Sequence, residues 1–433
     1  MIQDMEKNDL IYLESIGIDK SNLASQVDFL SSKNKTEQLS LIRPCIVGDG
    51  ITSKEEFQEN VLIDNTDNVS LSRFIPASGY GTRMLQVDNH DQPFFKNLEL
   101  LPFFNLITES CRKNNIDLDK IIKEKDVKQI KEILLAIFLD LPKALLPFHL
   151  INNLAVTPIE EIILYFNNDI ANKGLVFAIQ EEHEDKILKK LNKSDLLKDI
   201  DFDKFVNFTY QDVSTNSVCL DNENNILRNL NGDVYTHPSG HGALLENLNK
   251  IESDYVLINN IDNVSPKTRE LRYEITKKLY KFIKEIRNKN KVLNKPIRVC
   301  GVIKDQTSKG GKPFWVFDGK ETSVQIVEEA QVDIKNTEQK KIWDSGIYFN
   351  PVEMICSFKD FEGKKLELSK FANMSLKMKT KKTILGKQVS FIETPGLWNG
   401  SMHNWNTTFV EIPEESFTPV KNFTDLFLPI HQP

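Results

Sequence analysis

The sequence predicts an α/β protein in which a mostly parallel sheet is flanked by helices. Strand patterns and helix patterns alternate through the middle of the chain, and helices of about ten or more residues are the usual connections between parallel strands. A content of 40% hydrophobic and 27% charged residues is typical of a globular protein with a sizeable core. Two helical segments outside this alternation predict a cap at the N-terminus and an insertion.

The cap is predicted over residues 1–66, and the α/β domain over residues 67–433. In the cap, "NDLIYLESIGI" and "SNLASQVDFLSS" place apolar residues three to four positions apart, which indicates short helices. The first buried strand is "VSLSRFIPA". The insertion is predicted over about residues 86–140, where "DLDKIIKEKDVKQIKEILLAIFLDL" has a helical pattern.

Beyond the insertion the predicted elements follow one another closely. A helix begins at "TPIEEIILYF", with Thr157 as its N-cap and Pro158 at its first position. A long helix begins near Ser265 and Pro266. The other helices are "HEDKILKKLN" and "GALLENLNKI", and the strands are "GLVFAIQ", "FVNFTYQ", "YVLINNID" and "PIRVCGVIK". "PFWVFDG" and "TSVQIVE" predict an antiparallel extension of the sheet.

The composition excludes several classes of protein. A net charge of −7 argues against a nucleic-acid-binding protein, which presents a basic face. The five cysteines are odd in number and never spaced C-x-x-C, which argues against a disulfide framework or a structural zinc site. The N-terminal residues carry charges where a signal peptide is apolar, and no apolar run is long enough for a membrane span. We therefore expect a cytoplasmic protein.

The segment "RFIPASGYGTRM", residues 73–84, is the most informative motif. A dinucleotide fingerprint would need glycine at Met84, and a P-loop would need lysine where Thr82 follows Gly81. A third interpretation fits. The glycines would let backbone N–H groups of the loop surround a triphosphate, and the guanidinium of Arg83 would add two charge-assisted hydrogen bonds to it. A glycine turn beside a surface arginine is the alternative.

A second motif, "LPKALLPFHLI", places Lys143 directly after a proline. The two motifs together resemble those of sugar-nucleotide pyrophosphorylases, and more closely the UDP-sugar branch that includes UDP-N-acetylglucosamine pyrophosphorylase. The chain also resembles the bacterial family of unknown function numbered 4301 (DUF4301). The resemblance implies a GT-A-like, Rossmannoid sheet, and it places Arg83 at the leaving phosphates and Lys143 at the phosphates of both substrates. It implies that the nucleotide contacts Ala77, Ser78, Gly79, Gly81 and Thr82.

"YTHPSGHGALLENL" resembles the P-x-G-N-G-G loop of that branch. By this resemblance Pro238 and Gly240 contact the base, whereas His241 and Gly242 face the sugar. Gln211 lies where the branch has a glutamine that contacts uracil. His237 and His241 have zinc-ligand spacing, but the Pro-Ser-Gly between them prevents the helix that would align them.

Three further segments follow in the order that the branch has them. "YVLINNIDNVSP" ends in Asp262, which by resemblance binds Mg²⁺; the alternative is a helix cap, although Ser265 already supplies one. "FTPVKN" resembles F-S-P-L-K-N, which makes Lys421 a phosphate-binding lysine rather than a surface one. In "IWDSGIYFNPVEMI", Asn350 matches a residue that contacts sugar hydroxyls. "GLWNGSMHNWNTTFVEI" is either a carbohydrate-facing surface or a buried edge sheet.

Four features depart from the branch. Serine occupies a position of the glycine loop that is often glycine, and the segment between Met84 and Lys143 is long. His241 replaces an asparagine, and the segment after Asn350 lacks a glycine. The last two leave the identity of the sugar, or of another phosphomonoester acceptor, open.

Taken together, the resemblance implies an enzyme, a nucleotidyltransferase that joins an NTP, with UTP favoured, to a sugar 1-phosphate and releases pyrophosphate with the help of Mg²⁺. Such a transfer needs positioning and charge neutralisation rather than a side-chain nucleophile. A binding protein of the same fold without turnover is one alternative, but it has no need to keep Arg83, Lys143 and Asp262 together. A glycosyltransferase is another, but that class usually shows D-x-D, whereas Asn263 and Val264 follow Asp262.

Overall fold

The computed structural model describes residues 7–32, 38–58, 69–81, 84, 92–166, 170–171, 173–229, 231–289, 294–308 and 310–433. Over these residues the α-helices are α1 (Lys7–Ser15), α2 (Lys20–Ser31), α3 (Lys54–Gln58), α4 (Gln92–Lys96), α5 (Phe104–Lys113), α6 (Leu118–Glu124), α7 (Val127–Phe138), α8 (Pro158–Leu164), α9 (Glu184–Asn192), α10 (Leu245–Asn249), α11 (Arg269–Lys289) and α12 (Thr337–Asp344).

The strands of the same residues differ widely in length, from two residues to ten. They are β1 (Ser40–Pro44), β2 (Ile46–Val47), β3 (Gly50–Thr52), β4 (Leu71–Pro76), β5 (His149–Ile151), β6 (Leu154–Val156), β7 (Gly174–Ile179), β8 (Val206–Tyr210), β9 (Ser217–Val218), β10 (Leu220–Asp221), β11 (Thr236–His237), β12 (Tyr255–Asn259), β13 (Ile297–Lys304), β14 (Lys312–Phe317), β15 (Thr322–Val327), β16 (Tyr348–Ser357), β17 (Met378–Ile384), β18 (Lys387–Glu393) and β19 (Asn406–Glu411).

The chain divides into two compact units, each assembled from segments that are distant in sequence. The first unit consists of residues 1–61, 210–254 and 282–411, and the second of residues 62–209, 255–281 and 412–433.

The second unit contains strands in the order β12-β4-β7-β8. β4 is central and pairs in parallel with β12 on one side and β7 on the other. A buried cluster of the same unit runs from Met84 through α4–α7 to Phe148 and the C-terminal residues Val420, Phe423 and Leu426. The helices predicted as an insertion are therefore packed as part of this unit's core.

The first unit contains strands in the order β2-β3-β19-β13-β16. β13 pairs in parallel with β19 and antiparallel with β16. Two further sheets, β1-β14-β15 and β10-β18-β17, and the pair β11-β9 complete the strands of this unit.

The alternation predicted for the α/β region is confirmed element by element. β14 and β15 are antiparallel as predicted, but they do not extend the main sheet, because β14 pairs with β1 on its other side and the three strands form a separate sheet. α8 begins with a capping box: the Thr157 side chain accepts from the N–H of Glu160, whose carboxylate accepts from the N–H of Thr157. Ser265 caps the turn that precedes α11.

The prediction of a purely helical cap over residues 1–66 is wrong in part. α1 and α2 are helices as expected, but residues 40–52 contain β1, β2 and β3. These strands are short, and their partners come from distant sequence: β1 pairs with β14, and β3 with β19. Burial also fails to alternate along β1, where Leu41 is buried and its neighbours are exposed, so the strand has no clear sequence pattern. The domain boundary at residue 66 stays a prediction.

All five cysteines are buried and unpaired, as the sequence predicts. Within the described ranges, no helix has the length and apolar character needed to cross a bilayer.

Candidate functional site

The candidate site of the second unit begins at the carboxyl ends of three adjacent strands. Ala77 to Gly81 follow β4, Gln180 follows β7, and Asp262 comes shortly after β12. Because these strands are parallel, their carboxyl ends lie at one edge of the sheet. Ligands of open α/β sheets bind at this edge.

The glycine loop after β4 is held in place from two sides. The N–H of Ala77 donates to the carbonyl of Ala178 at 2.7 Å, and Nε2 of Gln180 donates to the carbonyl of Ser78 at 3.1 Å. On the other side, the N–H of Lys143 donates to the carbonyl of Gly79 at 2.9 Å. The two motifs of the sequence are therefore in direct backbone contact.

The two glycines of the loop have different surroundings. A Cβ atom built on Gly81 would lie 2.2 Å from Cδ1 of Leu146, whereas one built on Gly79 would meet no atom of the described residues within 4 Å. Gly81 is thus required by packing against the Lys143 segment. Among the described residues nothing covers Gly79, which leaves room there for a ligand.

Lys143 and Asp262 form an ion pair. Nζ of Lys143 lies 2.7 Å from Oδ2 of Asp262, and the two side chains are only 16% and 21% exposed. The pair joins the 3₁₀ turn Lys143–Leu145 to the loop after β12. Asp262 is therefore not the cap of the following helix; Ser265 takes that role.

The C-terminal motif lies against the same loop. The N–H of Val420 donates to the carbonyl of Asp262 at 3.0 Å. The amide of Asn263 accepts from the N–H of Thr418 at 2.9 Å and donates to the carbonyl of Ser416 at 3.4 Å. The "DN" and "FTPVKN" motifs, far apart in sequence, are thus joined by one backbone hydrogen bond and by the side chain of Asn263.

Lys421 itself is exposed. Its N–H donates to Asp425 at 2.6 Å, and its Nζ lies 5.3 Å from the centre of the Phe417 ring. Thr82 and Arg83 lie outside the described residues, so their roles remain predictions.

The other predicted residues lie in the first unit, where His241 is the best defined. Its Nδ1 accepts from the N–H of Leu397 at 2.9 Å, and its ring stacks on Trp398 with centroids 4.4 Å apart. Burial lowers the pKa of His241 to about 4, so the ring is neutral near pH 7. Since Nδ1 is the acceptor, the proton is on Nε2, which can donate to a ligand.

The glycines that flank His241 serve different purposes. Gly240 has a φ of +81°, which favours glycine. A Cβ atom on Gly242 would lie 2.0 Å from the carbonyl oxygen of Pro395, so this position also requires glycine. Pro238 is exposed at the start of the same loop.

Gln211 and Asn350 share an unusual feature. Nε2 of Gln211 and Nδ2 of Asn350 are buried, and neither has a hydrogen-bond partner among the described residues. Asn350 is only 2% exposed, and Val352, close by on β16, has a φ of +60°. A buried amide without a partner needs a ligand, an ion or a water molecule to satisfy it, and a β-branched residue at positive φ is a strained conformation of the kind that often occurs at functional sites.

Two residues, Trp398 beside His241 and Arg298 hydrogen-bonded to Trp398, were missed as site residues by sequence reasoning. Trp398 supplies the stacking surface, and Arg298, which is fully buried, donates to the Trp398 carbonyl at 2.6 Å and to Oγ1 of Thr407 at 2.8 Å. Burial lowers the pKa of Arg298. Trp398 belongs to the aromatic-rich segment "GLWNGSMHNWNTTFVEI", which the sequence suggested only as a general surface. Arg298 lies in no recognisable sequence motif. Trp405 of that segment is buried, as the edge-sheet interpretation expects.

The site offers too few acidic side chains to bind a metal ion by themselves within the described residues, but they fit a metal ion that a bound phosphate also coordinates. In the described part of the chain, no cluster of three or more His, Cys, Asp or Glu side chains is arranged to hold a metal ion. Asp262 offers one carboxylate at the edge of the sheet. Mg²⁺ in nucleotide sites commonly takes one or two carboxylates and completes its octahedron with phosphate oxygens and water, so this donor set fits.

Comparisons with known proteins identify the family of the chain and the fold that it shares with solved structures. A family model described as a domain of unknown function, DUF4301, matches residues 6–290 and 269–432. The chain belongs to the DUF4301 family. No curated protein matches it. Its fold, however, is similar to solved structures.

Two of those structures are UDP-sugar enzymes by their descriptions. A UDP-glucose phosphorylase from Trypanosoma brucei is 15% identical, with a TM-score of 0.58 over 98% of this chain and 80% of that one. A mutant UDP-glucose pyrophosphorylase from Leishmania major, in complex with UDP-glucose, is 16% identical, with a TM-score of 0.54 over 93% and 73%. This DUF4301 member therefore has the α/β fold of the UDP-sugar pyrophosphorylases, as the sequence motifs predict.

Proposed function

We propose that this protein is a sugar-1-phosphate nucleotidyltransferase that uses UTP and releases pyrophosphate. The observation that carries the proposal is the Lys143–Asp262 pair beside the glycine loop, at the carboxyl edge of β4 and β12. A cation, a carboxylate and an open glycine backbone at this edge are the groups that phosphoryl transfer requires. The similarity of fold to UDP-glucose enzymes supports the same function.

In the proposed reaction, a phosphate oxygen of the sugar 1-phosphate attacks the α-phosphorus of UTP. A new P–O bond forms, and the bond from the α-phosphorus to the oxygen bridging the β-phosphate breaks, so that pyrophosphate leaves with the electron pair. Lys143 neutralises the phosphates that must approach each other. Arg83 and Lys421 are assigned by sequence to the leaving phosphates and the attacking phosphate. The open face of Gly79 lets backbone N–H groups approach the triphosphate.

Asp262 would hold Mg²⁺ through its carboxylate. When bound, the ion would supply charge stabilisation at the phosphate oxygens. In the structure the ammonium group of Lys143 lies 2.7 Å from Oδ2 of this carboxylate, which supports a cation-binding role for Asp262.

Taken by itself, the first unit supplies groups for recognising a base or a sugar. His241 presents a fixed Nε2–H donor, because Nδ1 is occupied by the Leu397 N–H. Gln211 and Asn350 each present a buried amide nitrogen that lacks an acceptor in the described structure. We assign Gln211, with Gly240 and Pro238, to the uracil, and His241, with Gly242 and Asn350, to the sugar.

The test is an assay of pyrophosphate release from UTP and a panel of sugar 1-phosphates in the presence of Mg²⁺. Asp262→Asn and Lys143→Met should each fold normally, and each should reduce turnover by about 10²- to 10³-fold. This is the usual effect of removing one group that stabilises transition-state charge in other enzymes. The matched control is Asp201→Asn, because Asp201 also pairs with a lysine, Lys204, at 2.9 Å.

Asp201→Asn should leave the rate unchanged. Absence of pyrophosphate release with every NTP and sugar phosphate, from a protein that nonetheless binds UTP, would instead favour a binding protein of this fold. Equal rates for Asp262→Asn and the parent would refute the role of Asp262.

A further inference from the structure

We infer that the Lys143–Asp262 ion pair is a gate that fixes the order of binding: a polyphosphate must draw Lys143 away before a divalent cation can take Asp262. This inference rests on the proposed function, and it adds a mechanism that controls the order in which ligands bind at the same site. Its basis is that one oxygen of the carboxylate predicted to bind the metal, Oδ2 of Asp262, is already paired with the ammonium group of Lys143, at 2.7 Å.

The two cations cannot share the carboxylate oxygen without strong repulsion. A Mg²⁺ ion lies about 2.0–2.1 Å from a carboxylate oxygen, and Nζ of Lys143 lies 2.7 Å from Oδ2 of Asp262. On that oxygen the ion and the ammonium would be less than about 5 Å apart. With side chains only 16% and 21% exposed, little water is available to screen them.

Lys143 is also poised to leave. Its backbone is anchored, since its N–H donates to the carbonyl of Gly79 at 2.9 Å and its own carbonyl accepts from Leu146 at 3.1 Å. The long side chain can therefore rotate while the turn stays fixed. The glycine loop that we propose to hold phosphates begins at that same Gly79 contact, so a bound polyphosphate offers the ammonium a second anionic partner close by.

Asp262 is anchored in the same manner. Its carbonyl accepts from the N–H of Val420, and the next residue, Asn263, is tied to Thr418 and Ser416. The carboxylate thus stays in place when the lysine leaves. Exchange of one cation for another then requires movement of one side chain only.

The first experiment measures Mn²⁺ binding to the nucleotide-free protein by electron paramagnetic resonance, with Mn²⁺ as the probe for an oxygen-ligand site. Lys143→Met should bind Mn²⁺ more tightly than the parent by about 5- to 150-fold, the usual range of coupling between two ligands. The double variant Lys143→Met/Asp262→Asn should lose this gain. Lys186→Met is the control for net charge, because Lys186 donates to a backbone carbonyl, that of Asp140, and its removal releases no carboxylate.

The reciprocal experiment measures UTP binding in EDTA by calorimetry. Asp262→Asn releases Lys143 from its pair and keeps the shape of the side chain, so its affinity for metal-free UTP should rise by a factor in the same range. A parent protein that binds Mn²⁺ as tightly as Lys143→Met, or an Asp262→Asn variant that binds metal-free UTP no better than the parent, would overturn the gate.

The two experiments separate this inference from the proposed function. If the parent binds none of the nucleotides tested, the nucleotidyltransferase proposal fails, whereas the Mn²⁺ comparison still decides whether Lys143 blocks Asp262. If nucleotides bind and are turned over but Lys143→Met gains no Mn²⁺ affinity, the gate alone is wrong. Melting curves of each variant establish that it is folded before either titration.

Discussion

Replacing Gly81 by alanine should destabilise the protein by about 1–3 kcal/mol, the usual cost of adding a methyl group to a packed interior. The added Cβ would lie 2.2 Å from Cδ1 of Leu146 and 3.8 Å from Cα of Lys143. Leu146 is only 1% exposed, so it cannot move into solvent. The Lys143 turn must then shift, and turnover should fall along with stability.

Gly79→Ala is the matched comparison, since it adds the same methyl group two residues earlier. No atom of the described residues lies within 4 Å of the added Cβ, and φ is not in the left-handed region. Stability should therefore be unchanged or rise by about 0.4–1 kcal/mol through a less flexible unfolded chain. Because the methyl group would occupy the space proposed for phosphate, UTP affinity should fall.

Urea denaturation and UTP calorimetry on both variants test this reasoning. A Gly81→Ala variant as stable as the parent would refute the packing argument. A Gly79→Ala variant with the affinity of the parent for UTP would refute phosphate binding by this loop, whatever the result for Gly81.

Three more predictions concern other parts of the chain. Thr157→Ala removes the capping box of α8 and should cost about 0.5–2 kcal/mol in urea denaturation; a smaller loss would mean that packing alone holds the helix. His431, buried against His149, has its pKa lowered from 6.5 to about 4 by burial and by that neighbour. Its folded form therefore resists protonation, so stability is full above pH 6.5 and falls between pH 6.5 and 4. His431→Asn should flatten that part of the stability profile, and an unchanged profile would contradict the assignment. His241→Asn should change the preference among sugar 1-phosphates by about tenfold, the value of one hydrogen bond, and leave UTP affinity unchanged; an identical substrate profile would refute its place at the sugar.

The amino-acid sequence by itself determined the elements whose stabilising contacts are local. Thr157, Pro158 and Glu160 lie within one helical turn, so the start of α8 can be read from adjacent residues. The apolar run of β7 marks a strand buried on both faces. The same local signals failed for β1 and β3, whose hydrogen-bond partners lie in β14 and β19.

The order of the motifs could also be predicted from the sequence. The contacts between their residues, and the charge and protonation state of each, depended on the tertiary structure. Lys143 and Asp262 are 119 residues apart, and no local pattern shows that they form an ion pair. The neutral state of His241 and the choice of Nε2 for its proton likewise depend on Leu397 and Trp398, which come from another part of the chain. Charge, burial and tautomer are set by neighbours in space, and parallel strands bring such neighbours together from distant segments.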